Sequence, residues 1–395
     1  MTERGSRIDD IEALRAIAVA FTIFGHLRRL LPWAGNLTYT TDPYGAWWAG
    51  VDLFFCISGF VIARDLLQRL QDAENAHHFW KSTIAFWVKR IFRIWPTSWL
   101  WITVILLASI VLRKTGTFAP FHQTLQDFTA VAVQMQNFHA WRCAASNQLM
   151  QCDAAAPWWS LSLEEQFYIA LPLTILLFRK RLHWVFLTLV AVQFFVPRTP
   201  GAFLYYIRTD AISLGVLLAM FQSTALWRKI DPVFMRQKKY AIPVLSVCLL
   251  LLFTLARGQT TIDVMPNATG MIAVVSVVLV CIASYNQNYI ARGGLVRKAL
   301  LWLGSRSYAL YLIHWPMMDF THALWRFIEP FATQFGSNYS LRYALVWGIL
   351  TVVFSELNYR FVERPLRQRG KQIAQRIEGE PPASVRLQRV GSSSS

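Results

Sequence analysis

Long apolar runs separated by short basic stretches dominate the pattern along this chain. A helix needs about 20 apolar residues to cross the hydrocarbon core of a bilayer. Runs of that kind lie at 11–31, 47–67, 90–112, 158–178, 184–197, 204–222, 240–257, 268–285, 300–322 and 341–361. They predict an all-α integral membrane protein with about ten transmembrane helices. The runs at 184–197 and 204–222 are the weakest, being short or interrupted by Pro200 and Gly201, which suits tilted or partly re-entrant segments. One transmembrane domain over residues 1–367 is expected, with a disordered cytoplasmic tail at 368–395. Residues Thr2 to Asp10 are short and polar, and no small-residue cleavage site follows the first run, so that run is expected to be retained as a span.

Composition strengthens this picture. The 395 residues are 55% hydrophobic and only 15% charged, where a soluble domain carries roughly a quarter charged residues. The 17 Trp and 27 Phe suit helices anchored at two water–lipid boundaries. The formal charge of +17 invites a nucleic-acid reading, but the charges fall between apolar runs, not on one stripe. With the N-terminus in the cytoplasm, 26 Lys and Arg lie in cytoplasmic segments and 9 on the opposite side. This asymmetry places both termini in the cytoplasm and makes membrane lipids, not nucleic acid, the partner of the basic residues. The five cysteines show no metal spacing. Cys56, Cys248 and Cys281 sit in apolar runs as core fillers, whereas Cys143 and Cys152 share the longest exterior loop, about 113–157, where an oxidising compartment would let them pair.

Charge within a bilayer costs about 2.5 to 3.5 kcal/mol even on insertion scales, so ionisable residues in the spans are functional candidates. Arg15 and His26 are eleven residues apart, about 20° past three full turns, and so share one helix face about 16 Å apart. They suit an anion anchored at the cytoplasmic mouth and proton transfer deeper in, or a snorkelling arginine and a packed histidine. Asp52, near the start of the second run, needs a cation or water; Ser58 and Gly59 read most simply as helix-packing residues. Arg90 and Arg93 share a face at the expected cytoplasmic boundary, equally a phosphate clamp and a topology anchor. Glu164 and Glu165 open an apolar helix, where the dipole favours them. Asp210, His314 and Glu356 complete the polar set, with His314 read as structural.

Six of these segments together resemble the acyltransferase 3 family of bacterial membrane O-acyltransferases, over nearly the whole chain from Ile8 to Arg367. They are the Arg15-x10-His26 pair, Val51 to Phe60, Arg90-x-x-Arg93, Trp159 to Tyr168, Leu303 to Pro316, and Tyr359 to Pro365. The resemblance implies transfer of an acyl group, usually acetyl, from cytoplasmic acetyl-CoA or another acyl-CoA to a hydroxyl of a glycan or lipid-linked saccharide at the bacterial inner membrane. Exopolysaccharide, O-antigen and lipo-oligosaccharide are such acceptors. With about 30 residues after the last run, the chain resembles the stand-alone members without an SGNH-type domain. His26 is expected as general base, oriented by Asp52 or Glu165. Arg15, Arg90, Arg93 and Ser58 are expected to hold the donor. No metal is expected. The competing class is a secondary transporter or flippase of a polysaccharide precursor, its pathway lined by the same polar residues.

Overall fold

The computed structural model describes residues 7–33, 44–71, 73–146, 152–198, 201–257, 265, 267–330 and 335–379. Among them it is built of helices joined by turns, without a strand. Helix α1 is Asp9–Leu30, α2 Gly50–Gln71 and α3 Ala76–Val111; α4 (Phe121–Ala132) and α5 (Gln136–Ala145) form the long loop that follows. Then come α6 (Trp159–Phe178), α7 (Leu182–Phe195), the single turn α8 (Phe203–Tyr206), α9 (Asp210–Gln222) and the short α10 (Ala225–Lys229). The last six are α11 (Lys238–Ala256), α12 (Ala268–Ser284), α13 (Gly294–Ser305), α14 (Ser307–Ile328), α15 (Ser340–Asn358) and α16 (Arg364–Glu378).

Each apolar run read from the sequence carries helix, but the run at 204–222 is divided between α8 and α9, and three further boundaries differ. The run at 90–112 is only the second part of α3, which starts at Ala76 where the Asn75 side chain accepts from His78 N–H at 2.9 Å. Arg90 and Arg93 therefore lie about four turns inside a helix rather than at its mouth. The run at 300–322 is divided between α13 and α14 at Arg306, whose guanidinium turns to Glu356 at 2.8 Å and lies 4.2 Å over the Tyr359 ring. Finally, α15 continues through a π-helical turn at Tyr359–Glu363 into α16. Pro365 supplies no N–H and its ring displaces the carbonyl four residues back, which the wider turn accommodates. The tail expected to be disordered from residue 368 is thus helical to Glu378 and packs along α3; residues 380–395 lie outside the described residues.

By length and composition, Ala76–Val111, Lys238–Ala256 and the continuous stretch Ser337–Glu378 are long and apolar enough to cross a bilayer, and Asp210–Gln222 and Ala268–Ser284 are shorter apolar helices. Other helices carry polar groups turned towards their neighbours, which lowers mean hydropathy without shortening the helix. Helix α1, for example, is 22 residues long with Asp9, Asp10 and Glu12 in its first turn and Arg28 and Arg29 in its last.

Close helix approach is set by glycine. A Cβ on Gly59 of α2 would lie 2.1 Å from the Ile212 carbonyl oxygen, and one on Gly215 of α9 would lie 2.2 Å from that of Cys56. The two glycines let the α2 and α9 backbones touch, the packing role read for Gly59. Helix α1 packs among α2, α13 and α14, and its first turn is tied down by Asp10. That fully buried carboxylate accepts backbone N–H bonds from Tyr289, Ile290 and Ala291 at 2.9, 3.2 and 2.8 Å. Asp10→Ala strands three buried donors and is expected to cost about 3 kcal/mol, read as a lower unfolding temperature in detergent, with Asp10→Asn intermediate.

Candidate active site

Five helices bring the polar residues of the motifs around one cavity whose empty space, partly open to solvent, is about 700 Å³. Arg15 enters from α1, Ser58 from α2, Arg90 and Arg93 from α3, and Glu164 from α6, with Tyr308 and Tyr311 of α14 closing the side. Arg15 donates to Glu12 at 2.5 Å. Ser58 and Tyr168 hydroxyls both donate to Glu164 Oε1, so this carboxylate is held and faces the cavity. The Arg90 guanidinium lies 5.4 Å over both the Phe86 and Tyr168 rings, and its buried Nε has no hydrogen-bond partner.

A fourth guanidinium stands nearby. Arg367 of α16 lies close enough to Arg93 for their charges to repel, and pairs with Glu363 at 3.3 Å. The cavity lining itself carries three guanidiniums and one carboxylate, while Glu12 offsets Arg15 and Glu363 offsets Arg367 from outside it. The guanidinium forks on the wall suit a polyanion such as a phosphate chain.

At the other end the Tyr311 ring, on the cavity wall, lies 6.0 Å from that of His314, and its hydroxyl bonds Ser160 at 2.6 Å and the Pro157 carbonyl. His314 is fully buried, and its Nδ1 is 3.1 Å from the Leu310 carbonyl oxygen. A carbonyl only accepts, so the His314 proton sits on Nδ1 and its Nε2 carries a lone pair. His26 Nδ1 lies 2.9 Å from that Nε2 and must donate to it. In the neutral pair this leaves the lone pair of His26 on Nε2, the form a general base needs. The Trp315 ring stands edge-on to His26 at 5.0 Å.

The expected residues thus separate into four places. Arg15, Arg90, Arg93 and Ser58 share the cavity. Asp52 does not reach His26: fully buried, it takes a bidentate pair from Arg208, at 2.9 and 3.0 Å, under the rings of Tyr205 and Trp159. This is the cation its place in the run demanded. Glu165 accepts from Trp95 Nε1 at 2.8 Å, and its neighbour Glu164 is the one on the cavity. The partner of His26 is His314, which sequence reading had put down as structural. Asp210 likewise pairs with Arg198 at 2.8 Å. Arg208 and Asp319 went unremarked although both fall within apolar runs, where the cost of burying charge marks them as clearly as it marks Asp52.

A family model described as an acyltransferase domain matches residues 8–355. The chain belongs to the acyltransferase 3 family. It is 25% identical over 392 residues to a peptidoglycan O-acetyltransferase of Listeria monocytogenes, an alignment covering 93% of this chain and 57% of the relative. A putative O-acetyltransferase of Staphylococcus aureus is 26% identical over 382 residues, with 92% and 58% covered. A putative peptidoglycan O-acetyltransferase of Bacillus subtilis is 25% identical over 390 residues, with 93% and 56% covered. The chain therefore spans rather more than half the length of these relatives. No solved structure matches it.

Within this acyltransferase 3 chain the Asp52–Arg208 pair has a testable role. Asp52→Ala alone leaves a buried guanidinium unpaired and is expected to cost about 3–5 kcal/mol. Adding Arg208→Met removes the orphan charge and should restore most of the lost unfolding temperature. Equal melting of the single and double variants would refute this account.

Proposed function

We propose that the chain is a multi-pass membrane O-acyltransferase, moving an acyl group, acetyl foremost, from cytoplasmic acyl-CoA to a glycan or glycolipid hydroxyl at the outer face of the inner membrane. The observation that carries this reading is the succession along α1 and α14: a cavity with three arginines at one end, and a histidine pair with a fixed tautomer just past the other. Support also comes from the relatives, one a peptidoglycan O-acetyltransferase and another a putative peptidoglycan O-acetyltransferase.

In the proposed reaction Arg15, Arg90 and Arg93 hold the phosphates of the donor, guanidinium forks matching phosphate oxygens two at a time. The acceptor hydroxyl gives its proton to His26 Nε2 as its oxygen attacks the thioester carbonyl. The carbon–sulfur bond then breaks, and the departing thiolate takes the proton back from the imidazolium, giving an ester and free CoA. His314 keeps His26 in the reactive tautomer and shares the imidazolium charge. Arg15 and His26 lie about 16 Å apart along α1, so the donor must extend from one to the other past Tyr311. The excess of Lys and Arg in the segments between helices supports a cytoplasmic donor end.

Purified protein in proteoliposomes, given labelled acetyl-CoA and a glycan acceptor, should form a labelled ester. A carrier forms none, which separates the two classes. His26→Ala should lower transfer by about 10²–10⁴-fold while leaving the unfolding temperature unchanged; an active, well-folded His26→Ala protein would sink the mechanism. Arg15→Lys should raise the KM for acyl-CoA about tenfold with a smaller change in kcat, because a point charge cannot replace the fork.

A further inference from the structure

We propose that Asp153 is a positioning residue for the His26–His314 pair, and that the Cys143–Cys152 bond is the tether that keeps it in place. This rests on the acyl-transfer reading above. Asp153 comes from the long loop after α3, and its carboxylate pairs with Arg29, three residues beyond His26 on α1. Arg29 also bonds Asp319 of α14 through Nε and Nη2, at 3.1 and 2.7 Å, and its guanidinium lies 4.3 Å over the Trp315 ring. Trp315 Nε1 donates back to the Asp153 carbonyl at 2.8 Å, and the same indole meets His26 edge-on. One loop residue thus grips both α1 and α14 through side chain and backbone, directly beside the two histidines those helices carry.

The residue before Asp153 is Cys152, whose sulfur is bonded to Cys143 of α5. Helix α5 is itself fixed: Gln136 N donates to Ser162 Oγ at 3.1 Å, and Gln136 Nε2 to Asp127 at 2.9 Å. The buried Asp127 takes a second bond from Ala154 N at 3.1 Å. Asp153 therefore sits between a covalent link and a buried hydrogen bond, both running to the same small helical unit. Arg29 and Asp153 side chains remain partly exposed, at 21% and 27%, so the contact is open to disruption from outside if the tether is cut. Misplacing reacting groups by about 1 Å costs up to about a hundredfold in rate, which makes small movements of α1 against α14 consequential.

Forming the tether passes two electrons and the two thiol protons to a disulfide of an oxidising protein by thiol–disulfide exchange, leaving that partner as a dithiol. A phosphine such as tris(2-carboxyethyl)phosphine reverses it, returning two electrons and two protons to the sulfurs while water supplies the oxygen of the phosphine oxide. His139 Nε2 lies 3.2 Å from Cys152 Sγ, so the same two thiols could instead meet a metal; that alternative is built into the test.

The test is a double-mutant cycle on the full chain in proteoliposomes, pairing Cys143→Ser/Cys152→Ser with Asp153→Ala. Each arm alone should lower kcat by about tenfold or more with the KM for acetyl-CoA unchanged, and the combined variant should be no worse than Asp153→Ala. Asp153→Asn should recover part of the rate, and phosphine treatment should slow the wild type but not the serine variant. Additive losses, a raised donor KM, or kcat falling only in step with the unfolding temperature would overturn the proposal. So would free thiols at both positions by mass mapping, or stoichiometric zinc in purified protein. His26→Ala run alongside separates the failures. An active His26→Ala overturns acyl transfer by this pair, whereas an inactive one with an additive cycle overturns only the tether.

Discussion

Moving a guanidinium or carboxylate out of water costs several kcal/mol unless a partner of good geometry meets it, and this chain buries many between apolar helices. Asp52 and Arg208, Arg198 and Asp210, and Arg29 with Asp153 and Asp319 all solve the problem the same way, by facing an opposite charge on another element. The Asp52–Arg208 and Arg29 pairs also tie segments more than 100 residues apart in sequence, so there the arrangement of helices and the neutralisation of charge are one solution. Asp10 does the same with backbone N–H groups instead of a cation.

Against that pattern the cavity stands out. Arg15, Arg90 and Arg93 converge there with Glu164 as the carboxylate on its wall. Three guanidiniums against one carboxylate on its wall, with Arg90 Nε among the buried atoms that have no hydrogen-bond partner, suit a polyanion as the missing partner. This is the same physics as the ion pairs, with the second partner expected from outside. Similar logic applies to the histidines: His314 is satisfied by Leu310 and His26, which leaves one nitrogen of His26 with a lone pair to use.

Helical class, the places of the apolar runs and the polar residues worth watching were all legible in the sequence, because hydropathy and the cost of buried charge act locally. So was the family, through Arg15, His26, the Arg90 and Arg93 pair and the segment around Trp159. The need of Asp52 for a cation was also readable. That Arg15, Arg90 and Arg93 share one cavity was only a possibility, since helix periodicity orients a residue on its own helix and says nothing about which faces meet.

The tertiary structure decided the pairings. It assigned Arg208 to Asp52 and Trp95 to Glu165, turned Glu164 to the cavity, and set His314 against His26. It also extended α3 to Ala76 and carried the chain helically to Glu378, because packing of α16 along α3 stabilises segments whose composition alone reads as solvated tail. Sequence by itself determined which groups could not be left alone in an apolar setting. Only the fold could choose their partners, because those lie up to 290 positions away, as Asp319 does from Arg29, and no local preference reaches that far.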